Sequence, residues 1–131
     1  SRSLDNRALN AVSLNPVNNR GNVYNNKGEY DRAIADFNQV IQLNPKLAEA
    51  FINRGNAYSD KGEYDRAIAD FNQVIQLNPK LAEAFYNRGL AYERKGDKIK
   101  AIESYRQALA LAQNPQVKEF AQRKLKELEA N

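Results

Sequence analysis

Apolar and small residues recur along this chain at helical spacing, with polar residues filling the places between them. In the middle of the sequence Phe51, Gly55 and Tyr58 mark one such face, and Ala67, Ile68, Phe71, Val74 and Ile75 mark the next. Two helices joined by a turn are therefore predicted. The turn has a local cause: in Lys61-Gly62-Glu63 the glycine is free to take the left-handed conformation that closes a helix C-terminus. Glu63 and Asp65 then stand where the dipole of the second helix is positive. That helix stops at Leu77-Asn78-Pro79, where Asn78 is expected to cap and Pro79 to open the following helix, at a position where its missing N–H is not needed.

The same unit returns. Displacing the sequence by 34 residues lays Lys27 to Phe51 on Lys61 to Phe85 with no mismatch, and extension back to Asn18 adds only four differences. One helical hairpin cannot bury its own apolar face, so units of this length stack into a continuous core. The expected fold is all-α, a solenoid of three helix-turn-helix hairpins over residues 14–47, 48–81 and 82–115, then a closing helix over 116–131. In that last stretch Val117, Phe120, Ala121, Leu125 and Leu128 share one face, opposite Lys118, Glu119, Arg123, Lys126 and Glu127. Residues 1–13 precede the first hairpin. Because Ser13-Leu14-Asn15-Pro16 echoes Gln42-Leu43-Asn44-Pro45, that segment reads either as the worn helix of a truncated repeat or as a plain lead-in. Pro16 stands where the second repeat has Ala50, so the first helix is expected to be short or frayed at its start. Pro115 arrives two residues late, which predicts a slightly longer third hairpin and a slightly offset final helix.

These positions resemble the tetratricopeptide repeat family. The pattern reads Phe51, Gly55, Tyr58, Ala67, Phe71 and Pro79 in the second repeat, and Phe85, Gly89, Tyr92, Ala101 and Tyr105 in the third. The resemblance covers nearly the whole chain. It implies a right-handed superhelix whose first helices line a concave groove that holds another polypeptide. Two departures stand out: Arg20, Arg54 and Arg88 occupy the place before the glycine where the family usually has Leu, and Val17 replaces the aromatic of the first repeat.

Duplication makes a row of every residue it copies, so only the diverged third repeat tests a row. It puts Leu90 for Asn56, Ser104 for Asp70 and Lys98 for Tyr64, yet keeps Asn87-Arg88-Gly89. By the resemblance, the groove places of the first repeat are Asn15, Asn18, Asn19, Asn22, Asn25 and Asn26. Their equivalents are Glu49, Ile52, Asn53, Asn56, Ser59 and Asp60, then Glu83, Tyr86, Asn87, Leu90, Glu93 and Arg94. An Asn amide carries both donors and an acceptor, so a ladder of Asn19, Asn53 and Asn87, joined by Asn22 and Asn56, suits the backbone of an extended peptide. Ile52, Tyr86 and Leu90 are the apolar groove places and the candidate side-chain pockets. The basic clamp with which the family grips a C-terminal carboxylate matches in part at Asn22 and Asn53, but Asn18, Glu83 and Asn87 stand where its cations belong, so that clamp is not expected. Glu49, Asp60, Glu83 and Glu93 against Arg94 predict a neutral to acidic groove and a non-acidic ligand. The Arg row is expected to pair with aspartates of the second helices. Because Arg88 persists although its own repeat has lost the Asp, the pairing favoured is between repeats, Arg54 with Asp36 and Arg88 with Asp70.

Composition narrows the function further. At 131 residues the chain makes one domain. A mean hydropathy of −0.77, without an apolar run near the roughly 18 residues of a membrane span, predicts none. Net charge is +4 from 20 basic and 16 acidic residues that alternate in sign, and the groove lacks the basic, aromatic-rich face of an RNA-binding array, so no nucleic acid is expected. With no Cys and no His, the chain has no thiolate nucleophile and lacks the commonest general base, and no catalytic residue, metal or cofactor is assigned. The expected function is an adaptor that binds a protein or peptide partner. The alternative is a self-assembly element forming homo-oligomers, since the weak first repeat leaves Val12, Leu14 and Val17 short of cover. A cytoplasmic location is expected, and a chain that starts at Ser1 without any methionine reads as a processed, trimmed or engineered piece.

Overall fold

The computed structural model describes residues 16–130, among which all regular structure is helical. Helix α1 covers 16–26, and α2 (Tyr30–Leu43), α3 (Ala48–Lys61), α4 (Tyr64–Leu77), α5 (Ala82–Lys95), α6 (Lys98–Leu111) and α7 (Pro115–Glu129) follow. α1 with α2, α3 with α4 and α5 with α6 make three hairpins, and α7 closes the far end as a capping helix. The expectations for residues 1–13 and for Asn15 lie outside the described residues. No helix among the described residues is long and apolar enough to cross a membrane.

Each hairpin turn is set by a glycine. Gly28, Gly62 and Gly96 hold φ of 79°, 93° and 95°, where a side chain would be strained. At Gly62 the N–H donates to the Ser59 carbonyl at 3.0 Å and the next N–H, of Glu63, to Tyr58 at 2.8 Å, which closes the last turn of α3. The boundary between repeats works differently from the sequence expectation. Pro79 does not open a helix, because α5 begins three residues later at Ala82. Asn78 instead ends α4 and folds its own side chain forward, its Oδ1 accepting from Lys80 N–H at 3.3 Å, as Asn44 does for Lys46. Only Asn114-Pro115 follows the expected rule, with Asn114 Oδ1 accepting from Gln116 N–H at 2.8 Å and the proline in the first turn of α7.

The helices of a hairpin meet at a second set of glycines. A Cβ on Gly55 would lie 2.7 Å from the ring of Phe71, and equivalents on Gly21 and Gly89 would lie 2.6 Å from Phe37 and Tyr105. Those rings are buried, and Ala67 and Ala91 pack beside Phe71. Tyr58 touches this cluster and the preceding one of Ala33, Ile34, Phe37 and Ala57, so the core runs on from repeat to repeat. α3 approaches α5 and α5 approaches α7, whereas α2, α4 and α6 do not approach one another. The array therefore curves toward its first helices, and these line the concave side.

The two ends depart from the repeat. Leu77 and Leu111 pack on clusters containing Phe51 and Phe85, but Val17 is too short to do the same for Leu43, which is 66% exposed. At the other end α6 keeps the 14 residues of α2 and α4, so the third hairpin is not longer. The late proline shifts α7 instead. Ala121 packs on Phe85 and Ala108 as Ala84 does on Phe51 and Val74, yet it is the seventh residue of its helix and Ala84 the third. The offset is about one helical turn.

Overpacking at the contact between paired helices should be costly. Gly55→Ala and Ala67→Leu are each expected to lower the unfolding free energy by about 1–3 kcal/mol, because Phe71 has no space to retreat into. Urea denaturation followed by circular dichroism measures this, and a loss below about 0.5 kcal/mol for both would refute the helix pairing.

Candidate functional site

The concave face carries polar residues that bond from one first helix to the next. Asn53 Nδ2 donates to Asn18 Oδ1 at 3.2 Å, and Asn25 Nδ2 donates to Asp60 Oδ2 at 3.1 Å. One repeat on, Arg94 Nη1 donates to Ser59 Oγ at 2.9 Å and to Asp60 Oδ1 at 3.4 Å. These contacts join residues one repeat length apart and tie α1 to α3 and α3 to α5.

Of the expected amide ladder, Asn53 takes part in these contacts. Asn19 is exposed, and Asn22, Asn53, Asn56 and Asn87 are half-buried. Asn53 already gives one of its protons to Asn18, which leaves its carbonyl oxygen and second proton to a ligand. Ile52 is half-buried against the cluster of Phe51, Val74 and Ala84. Tyr86 and Leu90 are less available than the sequence implied. The Tyr86 ring lies 5.5 Å from that of Tyr105 and 6.1 Å from that of Phe120, and Leu90 packs on the cluster of Ala101, Tyr105 and Leu125. The closing helix thus covers part of both side chains.

That helix also supplies charge the sequence reading left out of the groove. Glu93 Oε1 accepts from the buried Tyr105 hydroxyl at 2.7 Å and lies 3.4 Å from Lys124 Nζ. Burial first, and then Glu93, push the Tyr105 phenol far above its ordinary range, so it stays a donor. Tyr86 is raised by burial and by Glu93, with Arg123 and Arg94 opposing. Phe120, Arg123 and Lys124 therefore lie beside Tyr86 and Glu93, at the α7 end of the concave face. The signal for them was available: α7 takes the place of a fourth first helix, so its inner residues continue the row. With Asp60 and Glu93 paired, Glu49 and Glu83 are the exposed groove carboxylates outside any ion pair among the described residues.

The Arg row corrects the pairing favoured from sequence. Arg54 donates from Nε and Nη2 to both oxygens of Asp70 at 2.9 and 2.7 Å, and Arg20 does the same to Asp36. The partner is within the repeat because each Arg follows the close approach: Arg54 precedes Gly55 and Asp70 precedes Phe71. Arg54 does reach the preceding repeat, but through Nη1 to Asn38 at 2.9 Å, and Arg88 likewise reaches Asn72 at 3.0 Å. This contact, together with Phe85 5.1 Å beneath its guanidinium, holds Arg88 in the row without an Asp. Burial raises the Asp70 carboxyl, with Arg54 opposing, and the bond to Asp70 raises the Arg54 guanidinium, so the bidentate geometry of the pair fixes how the two helices meet.

Comparison with known proteins identifies the array. A family model described as TPR repeat matches residues 21–62 and 55–96, and one described as tetratricopeptide repeat matches 82–115. The chain belongs to the tetratricopeptide repeat family. Among solved structures it is similar to the first tetratricopeptide domain of Spaghetti (RPAP3) bound to the HSP90 peptide SRMEEVD, at 25% identity and TM-score 0.79 over 89% of this chain and 90% of that one. The second such domain of human RPAP3, in complex with the HSP70 peptide SGPTIEEVD, is 28% identical with TM-score 0.77 over 93% and 97%. The Sgt2 tetratricopeptide domain of Aspergillus fumigatus is 25% identical with TM-score 0.76 over 91% and 83%. No curated protein matches the chain.

The two candidate Arg–Asp pairings separate in a double-mutant cycle. Arg54 and Asp70 should couple by roughly 0.5–3 kcal/mol in denaturation experiments, and Arg88 and Asp70 by less than about 0.5. A larger coupling for the second pair would restore the pairing between repeats.

Proposed function

We propose that this tetratricopeptide array is a protein-interaction module, an adaptor that holds an extended, non-acidic segment of a partner along α1, α3 and α5. The reading rests on the row of Asn19, Asn53 and Asn87, one amide per repeat on the first helices, of which Asn53 bonds from α3 to α1. Family membership supports it, as do two neighbours of the same architecture, each in complex with a peptide. Those peptides end in Glu-Glu-Val-Asp. Here Asn18, Glu83 and Asn87 stand where a clamp for such an end has cations, and Glu49 and Glu83 remain exposed, so an acidic tail is disfavoured. Binding and not catalysis is the activity, in a chain without His or Cys.

A second reading has its own observation. Leu43 is 66% and Val23 49% exposed, both in the first repeat, where Leu77 and Ala57 are covered in the next. Pairing of two arrays through this end would bury them. Light scattering at high concentration separates the readings, since a pure adaptor stays monomeric.

The groove reading is tested by replacing Asn19, Asn53 and Asn87 together with Ala. Each lost amide should weaken binding of a peptide selected from an array by roughly 0.5–1.5 kcal/mol. From an affinity of about 1 μM the triple variant should fall to near the limit of detection in isothermal titration, with helical circular dichroism retained. The losses should be alike for peptides of different sequence, because the bonds are to backbone. Full-strength binding by the folded triple variant would move the binding surface out of the groove.

A further inference from the structure

The outer faces of α2, α4 and α6 occupy equivalent places, and the third is unlike the other two. Asp31 on α2 and Asp65 on α4 are each taken by a lysine of the following hairpin, with Lys61 Nζ 2.7 Å from Asp31 and Lys95 Nζ 2.6 Å from Asp65. On α6 the same place is Ile99, 81% exposed. It opens on a cavity of about 430 Å3 lined by Ile99, Ile102, Glu103, Arg106 and Gln107.

A second change reaches the same cavity through Gln107. Arg20 and Arg54 each meet a carboxylate, but Arg88 meets three neutral oxygens: Ser104 Oγ at 3.0 Å, Asn72 Oδ1 at 3.0 Å and Gln107 Oε1 at 2.7 Å. Gln107 thus belongs both to the cavity wall and to the guanidinium. Burial lowers the Arg88 pKa, the mark of a cation short of an anion, although Glu103 acts on it from nearby. The neighbouring cations are engaged, Arg106 by Glu129 at 2.7 Å and Lys100 over the Tyr92 ring at 5.7 Å. The helix as a whole has changed sign. α2 and α4 carry two Asp against one Arg, whereas α6 carries Glu103 against Lys98, Lys100 and Arg106.

We propose that the outer face of α6 is a second protein-docking surface, which takes an acidic segment with an apolar anchor. The anchor enters the cavity beside Ile99 and Ile102, and a carboxylate of the segment displaces the Gln107 amide from Arg88. Charge complementarity decides the occupant, because a carboxylate on a guanidinium makes a charge-assisted bond stronger than the neutral one it replaces. Covering Ile99 removes from water one of the most exposed apolar side chains of the described residues. This partner has the opposite charge preference to the groove ligand, and the surface does not depend on the groove reading.

An NMR titration of the full chain with the peptide acetyl-Asp-Glu-Leu-Leu-Asp-Glu-amide tests the surface, with Asn-Gln-Leu-Leu-Asn-Gln as the uncharged control. The acidic probe should shift the backbone amides of Ile99, Ile102 and Gln107, bind about tenfold more tightly than the control, and weaken as salt is raised. Ile99→Asp restores the residue of the first two repeats, and Ser104→Asp gives Arg88 an internal carboxylate. Each should reduce probe affinity about tenfold with helicity unchanged. The variant lacking Asn19, Asn53 and Asn87 should bind the probe as the parent does. Three results would overturn the proposal: no shifts at about 1 mM probe, shifts confined to α1, α3 and α5, or unchanged binding in both α6 variants.

Discussion

The two helices of a hairpin can pair only because a side chain is missing between them. At Gly21, Gly55 and Gly89 the backbone of the first helix rests on an aromatic ring of the second, so near that a Cβ would fall 2.6–2.7 Å from a ring carbon. Once the backbones are that close, the residues on either side have little freedom. Arg54 and Asp70 flank the contact and meet through the Nε–Nη2 edge of the guanidinium, and Ala67 and Ala91 remain small because the ring has taken the volume. The stacking of hairpins follows from the same closeness. Phe71 is covered by Ala67 of its own repeat and Ala91 of the next, and Tyr58 touches this cluster and the preceding one.

Repetition fixes what is shared, and function depends on what is not. Phe37 and Phe71 become Tyr105 in the third repeat, and a phenol buried at that place must find an acceptor. It finds Glu93, where the first two repeats have Asn25 and Ser59, and Glu93 in turn lies near Lys124 of the closing helix. A single hydroxyl therefore accounts for a groove carboxylate that the charge count had assigned to ligand selection. The same repeat loses two aspartates, at Ile99 on the outer side of α6 and at the buried Ser104 beneath Arg88.

Helix positions, turns and the close approach were legible because each has a cause within a few residues: a glycine with positive φ, an apolar face at helical period, a glycine opposite an aromatic. The repeat then fixed the architecture, since identical hairpins must bury identical faces. Expectations failed where the cause is not local. Asn78-Pro79 and Asn114-Pro115 read alike, yet only the second starts a helix, because the following Leu81 packs beside Phe51, Val74 and Ala84 and sets where α5 begins. The Arg pairing was misjudged from the retention of Arg88. That residue is kept by Asn72 across the repeat boundary, a contact that no spacing announces, and by Ser104, Gln107 and the Phe85 ring within its own repeat.

Curvature decides what the remaining surface is able to do. First helices that approach one another bring their polar residues into mutual reach, which is why Asn18, Asn25, Ser59 and Asp60 bond along the concave side and only part of the amide row remains for a ligand. Second helices that stay apart expose whole faces instead. On α2 and α4 those faces are held by lysines arriving from the next hairpin, a device that requires a next hairpin. α7 replaces it with a single helix set off by about one turn, bringing Glu129 to Arg106 but no lysine to the place of Ile99. Where a hairpin is followed by this single offset helix, the place that a lysine would have paired carries Ile99 instead. The outer face of the third repeat is thereby chemically distinct from those before it.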